Sequence, residues 1–198
     1  MKEVTIIKYN AGNVMSVMYA LERIGAKYIL TDDTQTILNA ERIIFPGVGE
    51  ASTAMKSLVE NGLDKIIPHL KQPFLGTCVG MQLLCSHSEE NDTDCLGVFE
   101  TPIVKFPATP RFKIPQTGWN NLYDLNSELL DGVRENDFVY YNHSYYAPLS
   151  EYTVAKTDYI LPYSGMLHKD NFYACQFHSE ISGDVGEQIF KNFLNIKA

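Results

Sequence analysis

A cysteine stands between two glycines in Gly76-Thr77-Cys78-Val79-Gly80, with the apolar pair Phe74-Leu75 before it and the apolar pattern Met81-Gln82-Leu83-Leu84 after it. Thiolate is a strong nucleophile. A G-x-C-x-G turn between a strand and a helix would present it on a sharp bend, as serine is presented in a nucleophile elbow. The flanking glycines would let neighbouring backbone approach the turn closely. A free thiol with a pKa of about 8.5 is only a few per cent ionised at neutral pH, and a helix N-terminus adds roughly 0.3–1 kcal/mol in favour of thiolate. The nucleophile therefore needs a base.

Five histidines are available: His69, His87, His143, His168 and His178. His69 follows a proline in a polar segment and His168 adjoins a hairpin turn, so both read as surface residues. His87 ends the helix that carries the cysteine. His143 and His178 each follow an apolar strand, VYYN and ACQF, and either would serve as the base. His178 has Glu180 two residues on, a carboxylate able to fix the imidazole tautomer and stabilise its charge. In an extended segment that spacing puts both side chains on one side. This favours His178, with His143 the alternative. Pro46-Gly47-Val48-Gly49-Glu50 follows the strand RIIF, and its backbone N–H groups could receive an oxyanion; a generic turn reads equally well. Cys85 and Cys175 read as core residues, and Cys95 lies in a polar loop. The cysteine spacings fit neither a CxxC pair nor a metal cluster, so reduced thiols and no metal site are expected.

The elements that must position these groups follow from periodicity. Val4 to Tyr9 reads as a strand, with Gly12 and Asn13 as turn and cap. Val14, Val17, Met18, Leu21 and Ile24 recur at helical spacing up to Gly25. Tyr28–Leu30, Arg42–Phe45 and Phe74–Thr77 read as strands, and 52–59, 63–70 and 80–86 as helices. Strand and helix in alternation predict a parallel sheet covered by helices, with Cys78 at a strand's carboxyl end, where such sheets place their ligand sites. The second half changes rhythm. Strands at 103–106, 119–122, 138–141, 152–156, 166–168 and 172–177, the last two joined by Lys169-Asp170-Asn171, predict an added antiparallel section. An amphipathic helix is expected after Gly183, with Val185, Ile189, Phe190, Phe193 and Leu194 on one face. Prolines 102, 107, 110 and 115 mark one long irregular stretch.

A chain of 198 residues suits a single domain, and 45% hydrophobic with 20% charged residues is ordinary for a soluble globular protein. A net charge of −8 argues against nucleic acid as the main partner. No run of eighteen apolar residues and no signal-like N-terminus is present, so a cytoplasmic protein is expected.

Taken together, GTCVGMQ, PGVG and QFHSE resemble the class I glutamine amidotransferases, with their cysteine, histidine and glutamate triad. YNAGNVMSV, PQTGWNNL and NHSYY narrow the likeness to the glutaminase subunits of imidazole glycerol phosphate synthases, over essentially the whole chain. The resemblance implies a flavodoxin-like α/β fold over residues 1–198 and a triad of Cys78, His178 and Glu180. It implies an oxyanion hole from the Val79 N–H and, after a peptide rearrangement, the Val48 N–H. It implies glutamine-binding positions at Gly47, Gly49, Gln82, Ser144 and Tyr145, with His143 lining the pocket rather than acting as base. It also implies ammonia delivery to a β/α-barrel cyclase partner in a heterodimer, and no cofactor. Four places depart from the family pattern. The triad segment reads His178-Ser179-Glu180 where proline is usual at its centre, which removes a φ lock. The first strand ends Lys8-Tyr9-Asn10, Gln116-Thr117 replaces the common His-Met, and Thr77 and Val79 replace bulkier aliphatics.

Overall fold

The computed structural model describes residues 3–9 and 14–197. The expected turn and cap at Gly12 and Asn13 lie outside them.

The first half alternates as its periodicity demands. Strand β1 (Glu3–Ile7) leads to helix α1 (Val14–Arg23), β2 (Lys27–Thr31), α2 (Thr34–Leu38), β3 (Ile43–Phe45), α3 (Ala51–Glu60), β4 (Phe74–Thr77) and α4 (Val79–Leu84). Gly25, at φ 71°, ends α1 with the Gly25 N–H on the Glu22 carbonyl and the Ala26 N–H on the Leu21 carbonyl, a Schellman cap. Helix α2 is an element that periodicity does not predict. Asp33 caps it by accepting from the Thr36 N–H at 2.8 Å. The helix expected over 63–70 is two 3₁₀ turns, Leu63–Lys65 and Ile67–His69, because Pro68 has no N–H to extend an α-helical ladder.

The second half supplies short strands. These are β5 (His87–Ser88), β6 (Thr93–Asp94), β7 (Pro102–Lys105), β8 (Gln116–Asn121), β9 (Phe138–His143), β10 (Tyr145–Tyr146), β11 (Thr153–Asp158), β12 (Pro162–Lys169) and β13 (Phe172–Cys175). Helix α5 (Gly183–Asn195) follows. The main sheet has seven strands in the order β11-β12-β13-β4-β3-β1-β2. From β13 to β2 the neighbours are parallel. β12 and β11 extend the sheet antiparallel, with a two-residue turn at Asp170-Asn171. β8 and β9 form a separate antiparallel ribbon, and β10-β7-β5-β6 a small mixed sheet.

Side-chain alternation divides the core cleanly. Ile7, Ile43, Phe45, Phe74, Phe172 and Ala174 face one side, with α3 and α4. Val4, Ile6, Ile44, Leu75, Tyr173 and Cys175 face the other, with α1 and α5. Each strand thus feeds both layers at period two, as a doubly covered sheet requires. Each fully buried Leu, Ile or Phe contributes about 1.5–3 kcal/mol, which fixes β4 centrally between β3 and β13. The site sits on the ends of those three strands.

Candidate active site

β4 ends at Thr77 and the chain turns at Cys78 with φ 52° and ψ −111°. A positive φ at a residue with a side chain costs of order 1–3 kcal/mol, so the surroundings must impose it. They do so through the two glycines. A Cβ at Gly76 would lie 2.8 Å from Leu84 Cδ1, and one at Gly80 would lie 2.0 Å from the Phe45 carbonyl oxygen. The Cys78 N–H donates to the Cys175 carbonyl at 2.8 Å, fastening the elbow to β13.

His178 follows β13 and is buried. Its Nδ1 lies 2.8 Å from Glu180 Oε1. Nδ1–H donates to the carboxylate, which leaves Nε2 for the Cys78 thiol. Burial pulls the imidazolium pKa down, but the charge and hydrogen bond of Cys78, then the hydrogen bond and charge of Glu180, outweigh it and hold the value well above 6.5. Glu180 lies on a 3₁₀ turn, Ser179–Ile181, not on the extended segment expected. The turn folds the carboxylate back towards the imidazole and reaches the same pairing without the proline. Ser179, in the proline's place, is buried with Oγ 3.4 Å from Cys175 Sγ.

Cys78 and His178 open on a cleft of ≈ 240 Å³, which is also lined by Val48, Gly49, Val79, Gln82, Glu90, Ser144 and Tyr145. Gln82 Nε2 donates to the Tyr145 carbonyl at 3.0 Å and to Gln176 Oε1 at 3.1 Å. With both amide protons engaged, Gln82 Oε1 is the atom left to accept from a ligand. His143 also lines the cleft, and its Nδ1 donates to the Tyr145 carbonyl at 2.8 Å. Burial lowers its pKa to about 4, so it is neutral at pH 7 and its Nδ1 proton is committed. Gly47 is not part of the cleft wall. It packs against Val79 and Gly80, where a Cβ would meet the Gly80 nitrogen at 2.4 Å. The Gly47 carbonyl accepts from the Val79 N–H at 3.4 Å. The Tyr9 hydroxyl donates to the Pro46 carbonyl at 2.6 Å, so the atypical first-strand ending anchors the start of this turn.

Two residues at the site carry no signal that the motifs report. Glu90 is half-buried in the cleft wall and accepts from the Ala51 N–H at 2.8 Å through Oε2. Burial raises its pKa. Gln176 is fully buried, and its Nε2 lies 4.0 Å from Cys78 Sγ. It stands two residues before His178, and the period of a strand is the pattern that could have found it. Of the other histidines, His69 is exposed, His168 stacks on Tyr173, and His87 lies between Asp92 and Asp94. Cys85 and Cys175 are buried. Cys95 is half-buried, and its pKa is pushed up to about 12 by burial and then by Asp94 and Glu90. Among the described residues, no group of three or more His, Cys, Asp or Glu could hold a metal ion.

A buried cysteine, histidine and glutamate at the carboxyl ends of parallel strands, opening on a polar cleft, defines a thiol-dependent acyl-transfer enzyme of the α/β class. The family described as Glutamine amidotransferase class-I matches residues 5–196, and the chain belongs to it. The imidazole glycerol phosphate synthase subunit HisH of Bacteroides fragilis is 53% identical, covering 98% of this chain and 100% of that protein. The subunit of the same name from Blochmanniella floridana is 42% identical over the same shares. Among solved structures, a glutamine amidotransferase from Thermotoga maritima superposes with a TM-score of 0.64 at 14% identity, covering 98% of this chain and 83% of that one. That likeness shows the fold. Among the described residues, no helix is long and apolar enough to cross a membrane.

Proposed function

We propose that this chain is the glutaminase subunit of an imidazole glycerol phosphate synthase, a single cytoplasmic domain that hydrolyses glutamine and passes the ammonia to a β/α-barrel cyclase partner. The observation that carries the reading is the Cys78, His178 and Glu180 array opening on the cleft. HisH proteins at 53% and 42% identity along the full chain support the assignment to this synthase.

The chemistry follows from the geometry. Glutamine binds with its ammonium group towards the Glu90 carboxylate and Gln82 Oε1, the acceptors on the cleft wall. Cys78 Sγ attacks the side-chain amide carbon while His178 Nε2 takes the thiol proton. Glu180 holds the imidazolium so formed. The tetrahedral oxyanion collapses as His178 returns the proton to the leaving nitrogen, and ammonia departs. Water then attacks the thioester, giving its proton to His178, and the sulfur leaves with that proton restored. The products are glutamate and free enzyme.

One peptide gates both donors of the oxyanion hole. The Gly47 carbonyl covers the Val79 N–H, and that carbonyl belongs to the same peptide unit as the Val48 N–H. A flip of the Gly47–Val48 peptide uncovers the first donor and delivers the second. Each donor is typically worth about 2.7–4 kcal/mol in the transition state. The chain alone, with the carbonyl in place, is a weak glutaminase, and the liganded partner favours the flip. Ammonia then reacts in the barrel with a phosphorylated ribulosyl intermediate to give imidazole glycerol phosphate and an aminoimidazole carboxamide ribotide. The partner holds the phosphates, in keeping with a net charge of −8 here.

The test is glutamate release by the chain alone and with the barrel subunit plus its ribulosyl ligand, with Cys78→Ala as control. Negligible release alone, a large rise with the liganded partner and loss in the control are expected. Full activity alone would instead identify a free-standing hydrolase.

A further inference from the structure

Two segments far apart in sequence meet beside the base. The His178 N–H donates to the Tyr140 carbonyl of β9 at 2.9 Å. A direct return bond, from the Tyr140 N–H to the His178 carbonyl, would complete an antiparallel bridge. Instead, one hydroxyl relays it. The Tyr140 N–H donates to Ser182 Oγ at 2.9 Å, and Ser182 Oγ donates to the His178 carbonyl at 2.6 Å. The hydroxyl uses its single proton on the histidine and a lone pair on the tyrosine, so its orientation is fixed. Ser182 is 1% exposed, and no solvent can take over either bond.

The neighbourhood leaves this hydroxyl little room. The Ser182 N–H donates to the Ser179 carbonyl at 3.2 Å, closing the 3₁₀ turn that carries Glu180. Gly186 of α5 packs so tightly that a Cβ there would lie 1.8 Å from the Ser179 carbonyl oxygen and 3.1 Å from Ser182 Cβ. The backbone of His178 is thereby held from β9 on one side and from α5 on the other. Tyr140 itself faces Trp119 across the β8–β9 ribbon, with ring centroids 5.9 Å apart.

We infer that Ser182 is a positioning residue for the glutaminase reaction, whose hydroxyl sets the place of His178 by lashing its backbone to β9. The inference rests on the proposed function for its kinetic readout alone. Ser182 touches neither substrate nor thiol and acts through the histidine.

The experiment replaces Ser182 by alanine and compares two readouts with the wild-type chain. The first is glutaminase kinetics with the liganded barrel partner. kcat is expected to fall at least ten-fold, with KM within two-fold, because the base is displaced while Gln82 and Glu90, the acceptors proposed for the substrate's ammonium group, keep their places. The second is the rate at which iodoacetamide alkylates Cys78 at pH 7, read by mass spectrometry on the Cys78 peptide. This rate is expected to fall at least five-fold, since a misplaced imidazole assists the thiol less. A merely structural role predicts the reverse, because a loosened fold exposes the buried Cys78 and speeds its alkylation. Faster alkylation, or kinetics and alkylation both matching wild type, would overturn the inference. If the alanine variant does not fold, Ser182→Cys, close in size and a weak hydrogen-bonding group, takes its place with the same expected outcomes. If wild type releases no glutamate with its partner, the proposed function fails, and the alkylation rates still decide the role of Ser182.

Discussion

The elbow at Cys78 and the turn at Gly47–Gly49 lie side by side on the edge of one sheet, and they are built to opposite specifications. The elbow is held from every direction. Its N–H groups are engaged by the Cys175 and Gly47 carbonyls, and its glycines touch backbone and side chains that leave no room for a Cβ. The turn is held only at its start, by Tyr9 on the Pro46 carbonyl and by the Val79 N–H on the Gly47 carbonyl. Beyond that point Val48 is exposed, a Cβ on Gly49 would meet nothing within 4 Å, and Gly49 sits at φ 103°. Among the described residues neither the Val48 nor the Gly49 N–H makes a hydrogen bond. The proposed nucleophile and base are thus fixed before substrate arrives, while the Val48 N–H, the second oxyanion donor of the proposed mechanism, is left on a hinge. An enzyme that must not release ammonia unpartnered gains from that division. Strain is tolerated where packing fixes it, and the proposed mechanism asks for motion in a single peptide.

The sharpest way to break the rigid half is Gly80→Ala. The added methyl meets the Phe45 carbonyl oxygen at 2.0 Å, and backbone on both sides must move. The expected loss is upward of about 4 kcal/mol in chemical denaturation, with little soluble protein recovered. A small change in the denaturation midpoint would show that the elbow is not rigid. Val48→Pro strikes the other half. It removes one N–H and leaves the elbow alone, so the denaturation midpoint should stay near wild type while partner-stimulated kcat falls about 10²–10³-fold. Retained kcat would remove Val48 from the oxyanion hole.

The elbow is legible in sequence because its requirements are local. A strand, two close-approach glycines and a helix start all fall within nine residues, 74–82. The sheet is legible because each central strand alternates its side chains between two layers, and period two survives without knowledge of the partners. Other features depend on contacts that no local pattern carries. Glu90 sits in the polar run Ser86 to Asp94 and reads as a solvated loop. It reaches the cleft because the run folds over the start of α3, where the Ala51 N–H receives it. The 3₁₀ turn at Ser179–Ile181 depends on Ser182 and Gly186. An extended reading of His178-Ser179-Glu180 finds the right pair of residues by a different path through space. Helix α2 is only five residues long, too short for periodicity to register.

The two buried histidines of the cleft extend the comparison to pH. His143 has a folded pKa of about 4, below its ordinary 6.5. Between those values the unfolded chain binds the proton that the folded chain refuses. Its contribution is therefore present above pH 6.5 and lost as pH falls towards 4, by up to about 3 kcal/mol at 1.36 kcal/mol per unit. His178 has the opposite sign. Its folded value is raised, so its contribution is full below pH 6.5 and is lost as pH rises through the raised value. His143→Asn keeps a donor for the Tyr145 carbonyl and removes the acid titration. Denaturation measured from pH 7 to pH 4 should show a shallower slope in that variant, the remainder coming from carboxylates such as Asp33 and Glu50 whose folded values are lowered by hydrogen bonds. An unchanged slope would place the acid sensitivity elsewhere.

The smallest effect on the chain itself is expected at Trp119. Its ring is 55% exposed on the β8–β9 ribbon, against Tyr140 and near the equally exposed Phe138. An exposed aromatic contributes little to a lone chain, so Trp119→Ala should move its stability by no more than about 0.5 kcal/mol. Large aromatics left in water on a rigid ribbon are nevertheless the residues that anchor interfaces. Affinity for the barrel subunit should weaken by about 2 kcal/mol, some thirty-fold at 1.4 kcal/mol per decade, as read by calorimetric titration. The ribbon is also the element to which the base is lashed. Partner-stimulated kcat should therefore be restored at saturating barrel if Trp119 only anchors. It should stay depressed if the ring's contact with Tyr140 also sets the place of His178. Unchanged affinity would move the docking face away from the ribbon altogether. The link from partner surface to base would then have to run through the hinged turn alone.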